Sequence, residues 1–314
     1  ISTPCNDAYI LTLTDSAGCS LTDTIILGTI SGCTDPLALN YIWIANSDDG
    51  SCIYPEYGCT DPQAINYDSL ANMDDGSCCL LYQFMQLGQD IDGELANDKS
   101  GYSVSLSSDG NRVAIGVPYN DGNGMGISGH VRIYENVGGS WSQIGQDIDG
   151  EAAGDNSGNS VSLSSDGNTV AIGAPWNYGG NGSASGHVRI YTYNGSSWNQ
   201  LGQDIDGEAA GDRSGYSVSL SADGSTVAIG AQYNDGNGSN AGHVRVFENI
   251  GGSWYQIGQD IDGEAAGDKS GKSVSLSSDG NTVAIGTWEN HGNGYYSGHV
   301  RIFSYNGTSW NQLG

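Results

Sequence analysis

Four times along the chain, four carboxylates crowd into a stretch of nine residues. The sets are Asp90, Asp92, Glu94 and Asp98; Asp147, Asp149, Glu151 and Asp155; Asp204, Asp206, Glu208 and Asp212; and Asp260, Asp262, Glu264 and Asp268. Oxygen donors at this density, with glycine to turn the chain, suit Ca²⁺, and without a cation they repel one another except where salt screens them. A structural Ca²⁺ site is therefore one reading, and a solvated strand end is the other. Asp48 and Asp49, and Asp74 and Asp75, each precede a cysteine and invite a similar choice between a Ca²⁺ clamp and a capped turn.

Other reactive side chains recur as regularly. His130, His187, His243 and His299 each sit in a Gly-His-Val-Arg stretch, with Arg132, Arg189, Arg245 and Arg301 two residues on. Alternate residues of a strand share a face, so these pairs are read as hydrogen-bonding groups between repeats rather than as metal or catalytic residues. Trp141, Trp198, Trp254 and Trp310 are read as packing between repeats, with a row of sugar-stacking platforms as the other option. Asp109-Gly110, Asp166-Gly167, Asp223-Gly224 and Asp279-Gly280 read as hairpin turns. The loop Asn120-Asp121-Gly122-Asn123-Gly124 resembles a metal loop, but its Asp becomes Tyr178 and His291 in other copies. Such variation marks it as a place for specific recognition.

Catalysis needs an asymmetric constellation of acid, base or nucleophile. Here nearly every polar group is copied four times, and neither GxSxG nor HExxH occurs. No catalytic residue is assigned, and the chain is read as non-enzymatic. The residues that break the repetition lie in the fourth copy: Trp288, Glu289, His291, Tyr295 and Tyr296, a candidate ligand pocket.

The elements that carry these residues fall into three segments. Residues 1–28 hold two strand-like runs, Ala8–Thr14 and Leu21–Leu27, about the turn Asp15-Ser16-Ala17-Gly18. Residues 31–79 are a duplication at an offset of 26 residues: Gly32-Cys33-Thr34-Asp35-Pro36 returns as Gly58-Cys59-Thr60-Asp61-Pro62, and Asp48–Cys52 as Asp74–Cys78. Units this small bury little core, and disulfides commonly substitute. Cys33–Cys52 and Cys59–Cys78 are the economical pairing, each worth roughly 3 kcal/mol by loop closure. Cys5, Cys19 and Cys79 remain, and since seven is odd, at least one is free or paired outside the chain.

Residues 86–314 repeat four times with a period of 57, 57 and then 56 residues, opening at Gln86, Gln143, Gln200 and Gln256, with Gln312 opening a fifth. Each copy reads as four short strands, the signature of a propeller blade. The second has Ser160–Ser164, Thr169–Pro175, Gly186–Tyr191 and a strand starting at Trp198. One copy has too few large apolar side chains to offset the ordering of its backbone, so the copies must stack. The expected fold is all-β: tandem four-stranded blades of an incomplete propeller ring, preceded by small disulfide-stapled modules.

Three resemblances follow from these motifs. Ser100-Gly101-Tyr102-Ser103-Val104, Val113–Pro118 and Gly129–Tyr134 resemble the FG-GAP repeat of integrin α-subunit propellers. Gly-Ala-Pro is intact only at Gly173-Ala174-Pro175, and the Phe of the motif is Ser at Ser100, Ser157, Ser214 and Ser270. That resemblance implies a seven-bladed extracellular ligand-binding disc; the family's DxDxDG calcium loop is absent, so its ligands are not carried over. The cysteine segment is similar to GCTDP…NY…DDGSC repeats of secreted bacterial proteins. Residues 1–28 resemble the closing hairpin of a PKD or immunoglobulin-like sandwich.

Composition agrees. Fifty glycines suit tight turns, and a formal charge of −27 disfavours nucleic acid and anionic membranes. No run of eighteen apolar residues predicts a membrane span. Both ends fall inside recognisable units, so the chain reads as part of something longer. The expected setting is extracellular or cell-surface, and the expected partner is a surface glycan or extracellular protein.

Overall fold

The structure, a computed structural model, describes residues 8–26, 28–80, 86–121, 124 and 126–314, with only the backbone for 8–11 and 24–26. The expectations placed on Cys5, Leu27, Gly122 and Asn123 lie outside the described residues. No α-helix occurs among those described, and no helix is long and apolar enough to cross a membrane. The chain divides into two compact units, residues 1–85 and 86–314.

In the first unit, β1 (Ala8–Thr14) and β2 (Ser20–Ile26) pair antiparallel about a turn in which Asp15 Oδ1 accepts the amides of Ala17 and Cys19. The cysteine duplication has little regular structure beyond β3 (Tyr57–Gly58) and β4 (Met73–Asp74), which run parallel. Its order comes from the expected disulfides Cys33–Cys52 and Cys59–Cys78 and from two asparagines per repeat, of which Asn46 accepts the Ile30 amide and donates to Gly28 O, and Asn72 does the same with Glu56 and Tyr54. Asn40 donates to Ser51 O and accepts from the Ile53 amide; Asn66 does the same with Ser77 and Cys79. Cys19 and Cys79 are free thiols. Reduction is expected to remove roughly 3 kcal/mol per bridge and release residues 31–79 from amide-exchange protection; unchanged protection in reductant would contradict this.

The second unit consists of four antiparallel sheets. The first holds β5 (Ser103–Leu106), β6 (Arg112–Val117), β7 (His130–Val137), β8 (Ser140–Gln143) and β9 (Ile148–Asp149). The second holds β10 (Ser160–Leu163), β11 (Thr169–Ala174), β12 (His187–Tyr193), β13 (Trp198–Gln200) and β14 (Ile205–Asp206). The third holds β15 (Ser217–Leu220), β16 (Thr226–Ala231), β17 (His243–Ile250), β18 (Ser253–Gln256) and β19 (Ile261–Asp262). The fourth holds β20 (Ser273–Leu276), β21 (Thr282–Thr287), β22 (His299–Tyr305) and β23 (Trp310–Gln312). These are the expected blades.

One expectation is corrected. The sequence repeat opens at Gln143, Gln200, Gln256 and Gln312, but these residues end β8, β13, β18 and β23 of the sheet before. In the first three sheets the outer strand runs on through the junction in two pieces, both paired with the third strand: β8 at Tyr134–Val137 and β9 at His130–Val131. Gly145 makes the break between them at φ 71°, and a Cβ there would stand 2.6 Å from Trp198 Cδ1 of the next sheet.

The core lies between sheets. Ala114, Val131, Ile133 and Ile148 of the first pack on Val161, Leu163, Val170, Ile172 and Trp198 of the second, and the pattern repeats at the next two interfaces. Serine supplies the polar stitching: Ser103, Ser160 and Ser217 donate through Oγ to the carbonyls of Gly158, Gly215 and Gly271 in the following sheet, each at 2.8 Å. Where no neighbouring sheet follows or precedes, apolar positions stand open. Val104 is 63% exposed against 8% for its counterpart Val161, and Val300 66% against 0% for Val188. The ring is not closed.

Candidate functional site

The four carboxylates of each set do not meet at one point. Asp98, Asp155, Asp212 and Asp268 are buried and lock a turn. Each Oδ2 accepts the amide three residues back and the Nδ2 of an asparagine beyond the second strand, Asn120, Asn177, Asn234 or Asn290. Asp90, Asp147, Asp204 and Asp260 accept from the Gln four residues earlier, at 2.6–2.7 Å. Asp92, Asp149, Asp206 and Asp262 offer their backbone carbonyls to the guanidinium groups of Arg132, Arg189, Arg245 and Arg301. The last three of these bonds join neighbouring sheets, as expected for the arginines.

The histidines sit differently from expectation. Their Nδ1 atoms face carboxylates at 3.6–4.0 Å, beyond the range of the expected hydrogen bonds. Each buried ring gathers a glutamate from its own repeat and an aspartate from the next: Glu94, His130 and Asp147; Glu151, His187 and Asp204; Glu208, His243 and Asp260. In each group the three donor atoms lie within 4.8 Å of one another. Glu264 and His299 make the same pair at 3.6 Å. The first group lines a cavity of about 260 Å³ together with Asn120, Asp121 and Asp149. Burial, chiefly, holds His130 and His187 below the ordinary histidine value and, with Arg245 adding, takes His243 down to about 4. The rings are therefore neutral at pH 7.

Trp198, Trp254 and Trp310 are buried between sheets as expected, each Nε1 donating to a carbonyl in the preceding outer strand (Ile144, Leu201 and Ile257). The Asp-Gly turns also stand as read: the Ser107 hydroxyl and the Asn111 amide hold Asp109 down to about 2. Asp48, Asp49, Asp74 and Asp75 cap turns, each accepting the amide two residues on.

The fourth-copy residues form two groups. His291, Tyr295 and Tyr296 stack on one another, with ring centroids 4.1–5.1 Å apart. Trp288 and Glu289 join a second arrangement that the sequence reading missed. The first strand of each sheet begins where the second ends, so residues before the one and after the other share an end of the stack. There Lys99 lies over Tyr119 at 3.7 Å, and Arg213 lies between Trp176 and Tyr233 at 3.7 and 4.4 Å. Lys269 lies over Tyr233 and Trp288 at 5.3 and 5.6 Å and bonds Glu289 at 2.7 Å; Lys272 lies over Tyr216 at 4.1 Å and Trp288 at 5.5 Å. Burial pushes the Tyr216 hydroxyl up, but the Lys272 ammonium 2.6 Å away outweighs it and sets it below its ordinary value. A signal existed. Of nine basic residues, four belong to Gly-His-Val-Arg and Arg112 pairs with Glu135; the other four are all here.

Tandem antiparallel sheets with their core between them define a propeller-type repeat protein. The sequence pattern of the FG-GAP repeat matches residues 148–191 and 205–247. No curated protein matches. Among solved structures, Kuenenia stuttgartiensis hydrazine synthase is similar at 13% identity and a TM-score of 0.42, over 69% of this chain and 49% of that one. A provisionally assigned 6-phosphogluconolactonase from Bacteroides uniformis shows 14% and 0.40, over 68% and 71%. A provisionally assigned TolB from Agrobacterium tumefaciens shows 14% and 0.41, over 68% and 61%. The chain thus spans about half of the hydrazine synthase chain.

Proposed function

We propose that this chain is a non-catalytic, extracellular ligand-binding propeller segment that holds a surface glycan on its aromatic and basic edge. The observation that carries this reading is the line of Lys99, Arg213, Lys269 and Lys272 among Tyr119, Trp176, Tyr216, Tyr233 and Trp288. Aromatic faces stack on sugar rings, and the interleaved cations pair with carboxylate or sulfate substituents. The whole chain carries 36 acidic residues against nine basic ones, four of which lie at this edge, so the edge offers the local charge such a ligand needs. Disulfides in the first unit suit an oxidising compartment.

A lectin with equivalent sites between blades is the alternative, favoured by the similar placement of Arg213 and Lys269, each between aromatic residues of successive sheets. A glycan array separates the two, since several equivalent sites per chain would favour the lectin. Substituting Arg213, Lys269 and Lys272 together by alanine is expected to weaken glycan binding by at least about tenfold, the loss of one charged contact. Binding unaffected by the triple substitution would refute the edge, and an array without any binder would move the reading to a protein ligand.

A further inference from the structure

We infer that each junction between consecutive repeats holds a site for a first-row divalent transition metal ion, bound by Glu94, His130 and Asp147, by Glu151, His187 and Asp204, and by Glu208, His243 and Asp260. No step of the glycan reading depends on this.

The geometry comes first. Imidazole side chains that are only 2% exposed hold Nδ1 toward carboxylates without hydrogen bonding to them: His187 stands 3.9 Å from Glu151 and 3.8 Å from Asp204, His130 stands 4.0 Å from Asp147, and His243 stands 3.8 Å from Glu208. Two donors on one ion at about 2.1 Å stand at most about 4.2 Å apart, so these separations suit a shared ion better than direct contact. In each group all donor atoms lie within 4.8 Å of one another, so small shifts of the partly exposed carboxylates bring them onto one ion. The three groups recur at equivalent positions of successive repeats, which makes one accidental rotamer a poor explanation.

The chemistry of the donors selects the ion. One imidazole with two carboxylates suits zinc, manganese, iron, cobalt or nickel, whereas Ca²⁺ takes six to eight oxygens. A support for the glutamate is also present: Arg132, Arg189 and Arg245 stand 3.5–3.6 Å from the Oε1 of Glu94, Glu151 and Glu208, and Oε2 of Glu151 and Glu208 faces the ring. Such a partner orients a metal-binding carboxylate. Nε2 of His130 and His187 is buried with no hydrogen-bond partner, so Nδ1 is the nitrogen that meets polar groups.

At the second and third sites the histidine and aspartate belong to one sheet while Glu151 and Glu208 follow β9 and β14 of the sheet before, so an ion there would tie neighbouring sheets together. Zn²⁺ is the probe. The chain is stripped with EDTA, exchanged, and titrated with ZnCl₂ at pH 7 by calorimetry, beside Glu151→Gln/Asp204→Asn and Glu208→Gln/Asp260→Asn. These carboxylates are partly exposed, and the replacements keep shape and hydrogen-bonding capacity. Unchanged circular dichroism confirms that each variant is folded. Each double substitution is expected to remove one zinc ion per chain and about tenfold or more of affinity at its junction. Saturable zinc binding should also raise the Tm of the parent chain. No saturable binding up to millimolar zinc would overturn the inference. So would a stoichiometry that the substitutions leave unchanged, or Ca²⁺ displacing zinc at equal concentration.

Discussion

Gly173→Ala is expected to destabilise the sheet stack by at least about 3 kcal/mol, the upper range for forced overpacking in a core. A Cβ on Gly173 would lie 2.0 Å from the Gly215 carbonyl oxygen of the next sheet and 2.4 Å from Ser160 Oγ. The serine can rotate; the carbonyl cannot, because it accepts the Ser160 hydroxyl and belongs to a loop fixed on both sides. Gly116 and Gly230 meet the equivalent carbonyls, of Gly158 and Gly271, at 2.1 Å. Gly286 is the internal control: a Cβ there approaches closely only the Ser273 side chain, at 2.3 Å, with no following sheet against it. Urea unfolding of Gly173→Ala and Gly286→Ala measures the difference. Equal losses would mean that the sheets are not in the close contact described.

The second large effect is expected at the tryptophan between sheets. Trp198→Ala removes a side chain 3% exposed, leaves a cavity against Ile144 and Tyr193, and strands the Ile144 carbonyl that accepts its Nε1 at 3.0 Å. Losses of about 3–5 kcal/mol accompany such truncations. Trp288→Ala, at a residue 53% exposed, is expected to stay within about 0.5 kcal/mol of the parent in stability while weakening ligand binding. Chemical denaturation of both variants, beside a glycan-binding assay, tests the contrast. A Trp198→Ala protein as stable as the parent would show that this ring does not join the sheets.

The blades were legible because their signals are local. Ser160–Leu163 alternates, Asp166-Gly167 turns, and Thr169–Ala174 returns, all within one repeat, and repetition supplied the rest. The disulfides were legible because two cysteines per small unit leave one economical pairing. The carboxylate sets were found by composition, but the partners of each carboxylate were not legible there. Asp155 looks like its acidic neighbours in the sequence, yet its partner Asn177 is 22 residues away and its role is to lock a turn. The Glu–His–Asp groups escaped notice because Glu151, His187 and Asp204 belong to different elements of two repeats, and only the folded junction brings them together. The basic and aromatic edge escaped for the opposite reason. Its residues change from copy to copy, and a reading built on what recurs passes over what varies.

The two-piece outer strand has a consequence for how such a chain is cut or shuffled. Ile148 and Asp149 complete the sheet that precedes them, although the sequence phrase assigns them to the unit that follows. Excision at Gln143 would therefore strip one module of its final ladder rungs and leave the other with an unpartnered tail. The natural unit of exchange runs instead from the serine that opens one sheet, Ser160, to the aspartate that ends β14, Asp206. Gene fusions, proteolytic trimming and designed arrays that respect that frame keep each module whole.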